Sequence, residues 1–170
     1  AHHQHGILCA AKHFPGHGSS RDDSHLGFVD ITATWSREEL IPYQRLIAAG
    51  LADAIMTAHV FHAGLDPDDP ATLSRAILTG LLRQELGYDG IIISDDLQME
   101  AIAGYYGFEA TIRKAIEAGV DLLTFANNSA YEPEVAARAI AVIKQLVSAG
   151  IVTEERIDAS YRRIQRMKSW

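Results

Sequence analysis

Chemistry-bearing side chains crowd one stretch near the start of the chain. Lys12-His13-Phe14-Pro15-Gly16-His17-Gly18 is followed by Ser19-Ser20-Arg21-Asp22-Asp23-Ser24-His25. Lys12 and His13 offer cationic and neutral donors to the hydroxyl or carbonyl oxygens of a ligand. Asp23 and His25 are two residues apart, which places both side chains on one side of an extended segment. A carboxylate in that position orients an imidazole and raises its proton affinity, giving a general acid/base that works near neutrality. His17, between two glycines, is expected to brace the loop, and Phe14-Pro15-Gly16 reads as a rigid turn. Metal binding by His13, His17, His25 and Asp23 is the functional alternative. No helical His-x3-His and no Cys/His ligand set supports it, so no metal and no cofactor is expected.

A second reactive pair is Asp95-Asp96, which leaves an apolar run directly after Ser94. An aspartate at that place suits a carboxylate nucleophile or a general base. Neighbouring residues of an extended chain point opposite ways, so only one of the two faces a common centre. Asp96 reads equally well as a helix N-cap, and Asp95 is the stronger candidate for chemistry.

These groups need elements to carry them. Residues 7–11 form a short apolar run ending at Lys12-His13 and read as a buried strand. Ser36-Arg37-Glu38-Glu39 matches a capping box, starting a helix that runs to Gly50 with Leu40, Tyr43, Leu46 and Ile47 on one face. Residues 54–60 form a second strand ending in His59, either a ligand contact or, more in keeping with its surroundings, a satisfied near-core histidine. Residues 66–72 form a Pro-containing loop, and a helix over 74–86 stops at Gly87. The third strand, 90–94, runs into Asp95-Asp96. A helical stretch interrupted near 104–107 reaches Ala118. The fourth strand, 120–125, ends at Asn127-Asn128, and helices over 134–149 and 154–167 close the chain, the second capped by Thr153.

Apolar strands alternating with amphipathic helices indicate an α/β fold of parallel (β/α) units. Each strand ends in polar groups, as in the active site of a (β/α) barrel, where the catalytic face lies at the strands' C-terminal ends. Four units are half of an eight-unit barrel, so the chain reads as a single domain, residues 1–170, either a small open sheet or, as favoured here, half of a barrel.

The totals exclude several classes. The 170 residues, 48% of them hydrophobic, can bury one sizeable core. A net charge of −7 argues against nucleic acid or an anionic membrane as partner. No run reaches the roughly 18 apolar residues of a membrane span. The single cysteine, Cys9, is expected to pack in the core, and His2, His3 and His5 are assigned no metal.

Taken together, the motif at 12–18, then Asp23-Ser24-His25, then Ser94-Asp95-Asp96-Leu97-Gln98-Met99 resemble the β-N-acetylglucosaminidases (β-hexosaminidases) of glycoside hydrolase family 3. The likeness spans the chain, including Met56-Thr57-Ala58-His59-Val60. It implies a TIM (β/α)8 barrel of which this chain supplies strands 5–8, the C-terminal half. It also implies a retaining two-step mechanism, with Asp95 as nucleophile, His25 as acid/base assisted by Asp23, and Lys12 and His13 holding sugar hydroxyls. Retaining glycosidases ordinarily use two carboxylates. An imidazole near its unperturbed pKa of about 6.5 can also protonate a leaving group and then deprotonate water. Being neutral, it repels anions less, so phosphate could compete with water as acceptor. The implied substrate is a glycoside of β-linked N-acetylglucosamine, a peptidoglycan fragment or chitooligosaccharide, in cell-wall recycling in the cytoplasm. The missing half would supply further sugar contacts, so this chain alone is expected to be weakly active and to self-associate through exposed sheet edges. A non-catalytic carbohydrate-binding fragment and a β-glycosidase of other specificity are the alternatives.

Overall fold

The structure is a computed structural model, and it describes residues 1–20, 29–128 and 131–169. Among the described residues the strands are β1 (Ala10–Phe14), β2 (Val29–Asp30), β3 (Ala54–Thr57), β4 (Val60–Phe61), β5 (Ile91–Asp96) and β6 (Leu122–Thr124). β1, β3, β5 and β6 pair side by side in that order, every pairing parallel, and β2 pairs with β4 separately. Parallel neighbours need a crossover, and helices supply most of them. α1 (Ile41–Ala48), a π-helix (Ala76–Glu85), and α2 (Glu100–Tyr106) with α3 (Phe108–Ala118) lie in the crossovers, and α4 (Val135–Ser148) and α5 (Glu154–Lys168) follow β6. The α/β class with parallel units is as the alternating pattern requires.

β3 and β5 lie in the middle of the sheet; the face bearing Ile55 and Ile92 is fully buried in the core, while the opposite face is buried at Ala54 and Ile91 and half-buried at Met56 and Ile93. Phe14, Leu40, Leu78, Leu82 and Ile102 complete the same core, while Ile112, Ile116, Ala139 and Val142 form a second cluster between α3 and α4. β1 is an edge strand, and Ile7 and Leu8 before it are exposed.

Several expectations shift. The first strand begins three residues later than the apolar run suggests and extends through Lys12-His13-Phe14, because the residues that pair with β3 are Ala10, Ala11 and Phe14. Cys9 therefore precedes the strand and is half-buried rather than a core residue. The capping box does not form. Ser36 makes no side-chain cap, residues Arg37–Leu40 make a 3-10 turn, and α1 starts at Ile41 with Pro42 in its first turn. The Glu39 carboxylate turns instead to the loop after β1, accepting from Gly18 N at 3.1 Å and from Ser19 Oγ. The expected strand over 54–60 is split, because the chain leaves the main sheet after Thr57 and joins β2 at Val60, with Ala58 and His59 between. The break near 104–107 falls at Gly107, whose φ of 70° separates α2 from α3. Thr153 caps α5 as expected, its hydroxyl accepting from Arg156 N at 3.2 Å.

Candidate active site

The C-terminal ends of β1, β3 and β5 meet at one place, and the register of the sheet slips there. Along β1 the pairing steps three residues, Ala11 to Phe14, while β3 steps two, Ile55 to Thr57. Along β5 it steps three, Ile93 to Asp96, while β6 steps two, Leu122 to Thr124. An extra residue in one strand re-aims the side chains around it. The two slips contain Lys12-His13 and Ser94-Asp95, and so three of the residues singled out for chemistry, Lys12, His13 and Asp95. The Lys12–His13 and Phe14–Pro15 peptide bonds are both cis.

This arrangement brings His13 Nε2 to 3.7 Å from Asp95 Oδ2. Both side chains are partly open, 27% and 18% exposed, so the carboxylate can meet a ligand while an imidazole lies beside it. The other oxygen, Oδ1, accepts the Asp96 amide at 2.9 Å. Lys12 is exposed on the same strand. The His17 ring stands edge-on to that of His13, centroids 6.4 Å apart.

Asp95 and Asp96 divide as the extended chain requires. Asp96 is buried, and its Oδ1 accepts from Gln98 N and Ala126 N, both at 3.0 Å. It ties the turn after β5 to the turn after β6, and neither bond leaves it facing the open side. Asn127, three residues after the end of β6, is likewise structural. It takes the left-handed conformation, φ 56°, and its side-chain oxygen accepts Glu132 N at 2.7 Å.

The loop after β1 is held from outside the motif. Gly16 has φ 127° and donates its amide to His13 O at 2.9 Å. A Cβ there would overlap the Glu39 side chain, the nearest carbon being 2.6 Å away. Trp35 Nε1 donates to Pro15 O at 3.0 Å. A cavity of about 570 Å³ runs along this edge between Lys12, His13, His17, Glu39 and Tyr43. Asp23 and His25 lie outside the described residues.

Behind this group His59 is fully buried, hydrogen-bonded through both ring nitrogens to Thr72 Oγ1 and to Asp96 O, each at 2.8 Å. Burial holds its pKa below the ordinary imidazole value, more strongly than the Asp96 carbonyl and the two neighbouring carboxylates raise it. Thr57, Thr72 and Glu39 carry no signal in the sequence that marks them as neighbours of this site. They reach it across separations of 15 to 38 residues.

The family model for the glycosyl hydrolase family 3 N terminal domain matches residues 1–167. The chain belongs to glycosyl hydrolase family 3. It is 47% identical to a β-hexosaminidase of Tolumonas auensis over 131 residues, which is 75% of this chain and 39% of that protein. It is 32% identical to β-hexosaminidase A of Pseudoalteromonas piscicida, over 96% of this chain and 30% of that protein. Among solved structures, a family 3 β-N-acetylglucosaminidase from a Paenibacillus species superposes with a TM-score of 0.89 at 39% identity, over 98% of this chain and 32% of that one. A β-N-acetylhexosaminidase from Beutenbergia cavernae superposes with a TM-score of 0.86 at 29% identity, over 97% and 48%. This family 3 chain thus spans less than half the length of these relatives.

Proposed function

We propose that this chain carries the nucleophile, the acid/base loop and part of the sugar-binding face of a retaining β-N-acetylglucosaminidase. In this reading its strands correspond to strands 5–8 of the (β/α)8 barrel. The observation that carries the proposal is the Asp95 carboxylate, partly open at the end of a central parallel strand, 3.7 Å from His13 and beside the exposed Lys12. The names of its relatives, β-hexosaminidase and β-N-acetylglucosaminidase, supply the substrate class.

In the first step Asp95 Oδ2 attacks the anomeric carbon. The bond to the leaving oxygen breaks, and His25 gives that oxygen a proton, leaving a glycosyl ester on Asp95. In the second step His25 takes a proton from water, the water oxygen replaces the ester, and Asp95 returns as a carboxylate. Asp23 holds the imidazole and stabilises its charged form, which is present before the first step and after the second. Lys12 and His13 donate to sugar hydroxyls, and His13 shares the negative charge of the resting carboxylate. The substrate is a terminal β-linked N-acetylglucosamine on a peptidoglycan fragment or chitooligosaccharide.

The test is hydrolysis of a chromogenic β-N-acetylglucosaminide by the protein in the longest form its gene encodes, beside Asp95→Ala. Removing the nucleophile is expected to lower kcat by at least about 10³-fold, several kcal/mol of barrel chemistry being routed through that one group. An Asp95→Ala variant at the wild-type rate sinks the proposal.

A further inference from the structure

Thr57, His59 and Thr72 form a polar group that the mechanism above does not use, and all three are fully buried beneath Asp95. Polar side chains at that depth cost free energy unless their hydrogen bonds are made. Here they are made, and they end on the backbone at either side of Asp95. The Asp95 amide donates to Thr57 Oγ1 at 3.3 Å. Thr57 Oγ1 lies 2.8 Å from Thr72 Oγ1, which lies 2.8 Å from His59 Nδ1 and 2.9 Å from Ala58 O. His59 Nε2 lies 2.8 Å from Asp96 O.

The direction of every proton follows from what each group can do. A carbonyl only accepts, so His59 Nε2 carries the hydrogen. A neutral imidazole then leaves Nδ1 as an acceptor, and the Thr72 hydroxyl donates to it, sharing its hydrogen with Ala58 O. Thr57 accepts from Asp95 N–H and donates onward to Thr72. The alternative, an imidazolium donating from both nitrogens, would bury a full charge at 1% exposure. Its titratable neighbours are His13 on β1, Asp95 and Asp96 on β5. The two carboxylates favour that charge and His13 opposes it, and burial outweighs the pair.

We propose that His59 is a positioning residue for Asp95. Its Nε2–H, oriented by Thr72, holds the Asp96 carbonyl while Thr57 holds the Asp95 amide, so the backbone is clamped on both sides of the nucleophile. This rests on the reading of Asp95 as nucleophile. The clamp sits where the register of β5 slips, so regular pairing with β6 does not by itself fix the direction of the Asp95 side chain. A neutral ring also does this without placing a cation behind the attacking carboxylate, which would weaken it.

The test compares His59→Gln with His59→Asn in the longest form of the protein. A glutamine amide nitrogen reaches the Nε2 position and can still donate to Asp96 O. An asparagine amide stops at the Nδ1 position, keeping Thr72 and losing the carbonyl. His59→Asn is expected to lower kcat about 10²-fold, the cost of an ångström-scale misplacement, with KM within about threefold of wild type. His59→Gln is expected to recover about tenfold of that loss. In the wild-type protein, long-range nitrogen–proton spectra should show the His59 ring as the neutral Nε2–H tautomer at pH 7 to 8. Equal kcat in wild type and His59→Asn overturns the proposal, as does equal loss in both variants, or an Nδ1–H tautomer. Asp95→Ala, measured alongside, separates the two claims. If it stays active, the nucleophile reading fails; if it is inactive while His59→Asn keeps wild-type kcat, only the clamp fails.

Discussion

At the scale of single residues the site is a division of labour among neighbours of similar type. Asp95 and Asp96 are adjacent carboxylates, yet one is partly open beside His13 and the other is spent on two backbone amides. His13 and His59 differ in the same way, the first half-open and the second buried with both nitrogens engaged. The buried ring has a thermodynamic signature. Its pKa in the fold lies below the 6.5 of an exposed imidazole because burial disfavours the charged form. Below about pH 6.5 the unfolded chain therefore binds a proton that the folded chain does not, and stability falls as the solution is acidified. His59 contributes its full stability above pH 6.5 and loses it as the pH drops toward the folded pKa. Thermal unfolding of wild type and His59→Gln at pH 7.5 and pH 5 measures this. The wild-type midpoint should drop further on acidification than that of the variant, and identical drops would contradict the assignment.

At the scale of elements, the strands' two ends do different work. The C-terminal ends of β1 and β5 carry the proposed site, and the N-terminal end of β6 carries a buried charge cluster. Asp121 has no exposed side-chain surface and accepts from Arg83 Nη2 at 2.6 Å, Ser160 Oγ at 2.6 Å and Arg163 Nη1 at 3.3 Å, with Ile92 N at 3.0 Å. Arg156 Nη1 lies 3.6 Å away, and the Nη2 of the same guanidinium donates to Val120 O at 2.7 Å. The cluster joins the π-helix and α5 to the edge between β5 and β6. Asp121→Asn keeps the volume and leaves three guanidinium groups short of their counter-charge, so it should cost about 3 kcal/mol in denaturant unfolding. A loss below about 0.5 kcal/mol would mean that water satisfies the arginines and the cluster is dispensable. None of this touches the site, so the residual folded protein should keep the environment of His59.

The elements also show what a sequence can and cannot say. The α/β class was legible because buried parallel strands read as apolar runs, Ile91-Ile92-Ile93 above all, and because amphipathic helices alternate with them. The candidate site residues were legible as types, since Lys12-His13 and Asp95-Asp96 stand where apolar runs stop. What was hidden depends on register and distance. A one-residue slip in β1 and in β5 leaves no mark in composition, yet it sets where His13 and Asp95 point. Glu39 matched a capping box by spacing, and the nearby Gly18 amide and Ser19 hydroxyl drew it away. Thr57 and Thr72 are ordinary threonines until the fold puts their hydroxyls 2.8 Å apart.

At the scale of the whole molecule, the described residues form a four-stranded parallel sheet with β1 and β6 at its edges and a separate β2–β4 pair, and the chain's match spans 39% of the Tolumonas β-hexosaminidase. The proposed bond-making carboxylate, Asp95, lies in this portion, so the most direct measurement is where a substrate becomes attached. A slow fluorinated N-acetylglucosaminide should be incubated with the protein in the longest form its gene encodes and the tryptic peptides weighed. One added glycosyl residue is expected on the peptide covering 84–113, located at Asp95 and absent from Asp95→Asn. A protein that turns the compound over with that peptide unmodified, or with the sugar on Asp96, would contradict the proposal.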